Sequence, residues 1–150
     1  MREQVTVLVL LSLQLVSSIF DVRSYRIPNK VVFPGMLAGL VLSWAGPRDL
    51  AAKLAFILVL DILAICFPMG GGGDIKLIMM TACFRGPMPA VYSAIAAIFM
   101  LLAVILAGDP DKLSFFMATG RVLPDGKKYA FAPCIMAGTL LTEGVMLVCG

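Results

Sequence analysis

Four acidic residues stand in or beside apolar runs of this chain: Asp21, Asp61, Asp74 and Glu143. A carboxylate at membrane depth is costly, so each is a candidate for function if those runs cross a bilayer. Asp21 follows Phe20 at the end of the first run, and Asp74 follows Gly70-Gly71-Gly72-Gly73. Two apolar runs separate them, one leading out and one back, which brings both aspartates to the same level. Two carboxylates held close do not both ionise easily, and the pair titrates as a unit. Such a pair can hydrolyse a peptide: one carboxylate takes a proton from water while the other, protonated, donates to the carbonyl oxygen.

The glycine run has two readings. Residues without a Cβ let another chain come close to Asp74; equally, Gly70–Gly73 is a flexible loop and Asp74 its helix cap. Asp61 falls roughly 9 Å inside the end of its run at about 1.5 Å per residue. It is open to a contact with Ser17, Ser18 or Thr81. Glu143 falls near the opposite face, within reach of headgroups or water. A rival function uses Asp61 and Glu143 as the working acids of a small multispan transporter.

The elements that must position these residues follow from composition. Of 150 residues, 61% are apolar and 14% charged, against about 45–50% and 25% in soluble domains. That excludes an ordinary water-soluble globule and a disordered chain. Apolar runs fall at Gln4–Phe20, Val31–Ala45, Leu50–Phe67, Ile75–Phe84, Met88–Ala107 and Ala130–Cys149. The expected fold is all-α: one integral-membrane domain over residues 1–150, a bundle of about six spans. The fourth run is short for a bilayer that takes about 20 helical residues. It is either a half-buried helix or continues through the turn at Arg85–Pro89.

The first, third and fifth loops with Lys76 carry eight cations, against Arg2, Arg48, Lys53 and Arg85 opposite. The positive-inside rule puts those loops in the cytoplasm, both termini outside, and Asp21 and Asp74 at the cytoplasmic face of the plasma membrane. The long segment 108–129 opens with Leu113, Phe115, Phe116 and Met117 and reads as an interfacial stretch or a cover for the site. The four cysteines stand singly and histidine is absent. No thiolate or imidazole metal site is expected, nor a cofactor or nucleic acid.

Two turn signals complete the pattern: Ile27-Pro28-Asn29 after Asp21, and Phe131-Ala132-Pro133 opening the last run. With Gly71-Gly72-Gly73-Asp74-Ile75-Lys76-Leu77 between them, the chain resembles the type IV prepilin peptidases. Their pattern is an aspartate before a Pro-Asn turn, a Gly-x-Gly-Asp-x-Lys-Leu segment, and a Phe-Gly/Ala-Pro start to a late span.

The resemblance implies a membrane aspartyl endopeptidase that removes the basic leader of pilin-like precursors. Asp21 and Asp74 would be the catalytic pair, with Gly71 and Gly73 shaping the second aspartate's loop. For Lys76 it leaves open a pairing with a carboxylate or an anchor at the headgroups; Asp61, Pro28, Asn29 and Pro133 are secondary candidates. The chain is similar to the short peptidases of tight-adherence (Flp) pilus systems. The paired CxxC motifs of larger members are missing, so N-methyltransfer is not expected. Archaeal preflagellin peptidases are longer. Presenilin-type proteases place Tyr before the first aspartate, where Phe20 stands here.

Overall fold

A computed structural model describes residues 2–24, 27–66, 72–108 and 130–149. The described residues form six helices and no strand: α1 Arg2–Ser24, α2 Asn29–Leu42, α3 Pro47–Cys66, α4 Gly72–Arg85, α5 Pro87–Gly108 and α6 Ala132–Cys149. Each expected run is a helix. The break after the fourth is sharp, because Gly86 takes φ 91°, a left-handed angle that interrupts a helix, and Pro87 starts the next. Two helical stretches, Glu3–Ser24 and Pro87–Val104, are long and apolar enough to cross a membrane.

The shortest run is the centre of the fold. α4 spans roughly 20 Å at 1.5 Å per residue, and Leu77 and every residue from Met79 to Phe84 are buried. It packs against all five other helices. Missing side chains let the neighbours approach. On α2, Gly35 and Gly39 lie one helical turn apart and face α4. A Cβ at Gly35 would come within 2.7 Å of the Met80 sulfur, and one at Gly39 within 2.6 Å of the Phe84 ring. This is small-residue packing of the kind that holds helices together where lipid leaves little hydrophobic drive between them. Between α5 and α6, a Cβ at Gly138 would run into the Ser93 carbonyl oxygen.

Charged groups fasten one end of α4. Ser43 Oγ, at the C-terminus of α2, donates to the Cys83 carbonyl at 2.7 Å. Lys53 of α3, buried despite its charge, donates to Ser43 Oγ at 2.8 Å and pairs with Asp49 at 2.6 Å. Arg85 pairs with Glu143 of α6 at 2.6 Å. At the opposite end lie the C-terminus of α1 and the N-termini of α2, α4 and α6.

α1 is apolar outside and polar inside. Val5, Leu8, Leu15, Val16, Ile19 and Phe20 are exposed, whereas Thr6, Gln14, Ser17, Ser18 and Asp21 are buried. A helix in a water-soluble core shows the reverse pattern. The Gln14 side-chain amide donates to the hydroxyls of Thr81 and Thr139, both at 3.0 Å, joining α1, α4 and α6. Each threonine donates in turn to the carbonyl four residues earlier.

Gly138→Ala is expected to destabilise by about 1–3 kcal/mol, because backbone rather than a pliable side chain occupies the space. Gly144→Ala, with nothing within 4 Å of its added Cβ, is the control. Thermal unfolding of the two variants checks the difference.

Candidate active site

Asp21 occupies the last turn of α1 and is 7% exposed. It sits on the buried stripe of that helix at the i, i+3, i+4, i+7 spacing of Gln14, Ser17 and Ser18. Its Oδ2 accepts a hydrogen bond from the Ala132 backbone N–H at 3.0 Å. The sequence at the start of α6 explains why that donor is free. Cys134 and Ile135 already donate to the Phe131 carbonyl, at 3.0 and 3.1 Å, and Pro133 has no N–H. Of the orphan donors of a helix N-terminus, Ala132 alone remains for a partner, and the positive end of the helix dipole faces an acid. Pro133 therefore acts by subtraction.

Asp74 lies in the first turn of α4, just before the apolar run Ile75–Phe84. Partial burial, with the negative charge of Asp21 adding to it, pushes its carboxyl up from 3.8 to about 6. The two aspartates are thus close enough to feel one another, at the end of the bundle that also holds the Pro-Asn turn and the start of α6. The close approach expected at the glycine run is made by the chain itself at Gly73. A Cβ there would come within 3.1 Å of the Ile27 side chain. Gly71 lies outside the described residues, as do Gly70 and most of the segment 108–129.

Lys76 pairs with neither aspartate among the described residues. Its ammonium donates to Asn29 Oδ1 at 2.8 Å and stands 5.8 Å from the centre of the Phe33 ring. Pro28 precedes α2 in an extended conformation, and its carbonyl accepts from Val31 N–H at 3.0 Å. The turn of the α1–α2 connection is thereby docked on the first turn of α4.

The remaining acids are not brought into this cluster. Asp61 is exposed on α3 and does not make the expected hydroxyl contact: Ser17 and Ser18 lack a hydrogen-bond partner, and Thr81 is engaged by Gln14. Glu143 is buried at the opposite end and paired with Arg85, so it is not the solvated group its position suggested. Sequence reasoning missed Gln14 as a three-helix tie, although its spacing from Asp21 is visible. It also missed Lys76–Asn29, which no sequence periodicity links.

The described residues contain no group of three or more acidic, cysteine or histidine side chains placed to hold a metal ion. The arrangement puts two carboxylates that interact electrostatically at one end of the bundle, one of them accepting from a backbone N–H. An all-helical bundle with such a pair suits a peptidase, and comparison with known families agrees. The profile of the type IV leader peptidase family matches residues 8–107, about two thirds of the chain. The chain belongs to the type IV leader peptidase family. The matched stretch takes in both aspartates, Pro28-Asn29 and Lys76, and stops before Phe131-Ala132-Pro133. No curated protein and no solved structure matches the chain.

Asp74 sets a pH dependence of stability. Its folded pKa lies above its unfolded value, so the folded state binds the extra proton. The stabilisation is complete below about pH 3.8 and lost as pH rises through about 6. Asp74→Asn removes a buried charge and is expected to raise the thermal midpoint above pH 6, with the gain shrinking toward pH 4. Midpoints measured across that range for both proteins check it.

Proposed function

We propose that this protein is a membrane aspartyl endopeptidase that cleaves the leader from pilin-like precursors at the cytoplasmic face of the plasma membrane. The observation that carries the reading is the electrostatic coupling of Asp21 and Asp74 at the end of the bundle where all three motif segments meet. The inverted α1, the two long apolar helices and the cation asymmetry of the loops support a multi-span bundle in the bilayer. The family supports a prepilin-type substrate.

The roles of the two aspartates follow from their surroundings. Asp74 holds its proton to about pH 6 and is the donor to the scissile carbonyl oxygen. Asp21, with Oδ2 taken by the Ala132 N–H, uses Oδ1 as the base. A water molecule gives a proton to Asp21 as its oxygen bonds to the carbonyl carbon, and Asp74 protonates the oxygen of that carbonyl. The resulting diol collapses with cleavage of the C–N bond. Asp21 passes the proton it took from water to the departing amine, and the hydroxyl of the collapsing diol returns one to Asp74, so the pair again holds one proton. Attack is by water directly, without a covalent enzyme intermediate. The interface supplies both requirements of the substrate: water for hydrolysis and apolar surroundings for the precursor's helix, whose basic leader stays in the cytoplasm.

Asp21→Asn and Asp74→Asn should each abolish processing of a co-expressed pilin precursor. Full processing by either variant would overturn the dyad. The wild-type kcat/KM should fall as pH rises past about 6, where Asp74 loses the proton it must donate. An unchanged rate through that range would reverse the assigned roles.

A further inference from the structure

We infer that Lys76 and Asn29 form a positioning pair that sets the direction of Asp74, and with it the separation of the two aspartates; this rests on the proposed peptidase reading. Lys76 Nζ donates to Asn29 Oδ1 at 2.8 Å. Residues two apart in a helix point about 200° from one another at 3.6 residues per turn, so the Lys76 contact holds the first turn of α4 from the side away from Asp74. A tether on that side resists rotation of the turn about the helix axis, the motion that would swing Asp74 relative to Asp21.

The other end of the tether is equally placed. Asn29 is the first residue of α2 and follows Asp21 by eight positions through a short connection. Fixing Asn29 therefore limits where the end of α1 can lie. The Ile27 side chain fills the space over Gly73 in the same turn, within 3.1–3.3 Å of the position its Cβ would take. The Phe33 ring faces the Lys76 ammonium at 5.8 Å and holds it from a second direction. A hydrogen bond from an ammonium to a neutral amide is charge-assisted. Lys76 thus spends its ammonium on Asn29 and pairs with neither aspartate among the described residues.

The test is a double-mutant cycle on Lys76→Met and Asn29→Leu. The substrate is a purified pilin-like precursor with a short Lys/Arg leader ahead of an apolar helix. Displacement of a reacting group by about 1 Å costs up to about 100-fold in rate, so each single variant should lose about 10- to 100-fold in kcat with KM little changed. The double variant should be no slower than the slower single, because either change already breaks the one contact. Asn29→Asp keeps an acceptor for the ammonium and should restore most of the kcat lost in Asn29→Leu. Independent effects that multiply, a loss confined to KM, or an Asn29→Asp variant as slow as Asn29→Leu would each overturn the inference.

Thermal midpoints of the same four proteins report the contact without reference to catalysis. Coupled midpoints with no cleavage by wild type would mean that the peptidase reading has failed while the contact stands. Uncoupled midpoints alongside active wild type would mean that the pair itself is wrong.

Discussion

The short helix at the centre constrains everything around it. α4 has 14 residues, and α2 reaches it where side chains are missing. Gly35 and Gly39 bring the backbone of α2 against Met80 and Phe84, which lets Ser43 reach the Cys83 carbonyl. From Ser43 the chain of contacts continues to Lys53 and Asp49. One end of α4 is thus fixed to α2 by the Ser43 hydrogen bond, with Lys53 of α3 held on the same serine, and to α6 by Arg85–Glu143. Its other end carries Asp74 and is held by fewer, more particular contacts. A buried lysine and a buried glutamate are expensive unless paired, and here each is paired across or beside the element it fastens.

The polar content of the interior runs along α1. Gln14, Ser17, Ser18 and Asp21 lie on one face, and the outer face is left to Leu8, Leu15 and Ile19. An amide in such a place needs partners, and Gln14 finds two hydroxyls on two other helices. Asp21 finds a backbone N–H at the end of α6, which Pro133 leaves unshared by removing a neighbouring donor. The first and last described helices are joined by that bond and the Gln14–Thr139 bond, so Asp21 is a structural member of the bundle. Asp74 is the less comfortable partner. Its carboxyl is partly desolvated and feels the charge of Asp21, and the proton it retains is the one the proposed reaction uses.

All six helices were legible in the order of apolar runs, because charges and Pro/Gly clusters interrupt a helix wherever they recur. Legible too was the meeting of Asp21 and Asp74: two intervening runs return the chain to the level it left. The prominence of α4 was not, since a mainly apolar run as short as Ile75–Phe84, between a glycine run and a Gly-Pro turn, looks marginal by length. Only the glycines of α2, opposite it, make it the core. Asp61 and Asp74 both stand beside apolar stretches in the sequence, and nothing local tells that one is exposed on α3 and the other shares an end of the bundle with Asp21. Glu143 looked solvated because its partner, Arg85, lies 58 residues away.

By itself the sequence determined the helical class, the order of the described helices, and which end of the bundle holds Asp21 and Asp74. Those properties depend on local interruption and on the parity of chain crossings. Tertiary structure alone decided which helix is central, that Lys76 turns to Asn29 rather than to a carboxylate, and that Ala132 supplies the donor Asp21 accepts. These depend on how helices rotate about their axes when packed, and rotation is set by close contacts between residues far apart in the chain.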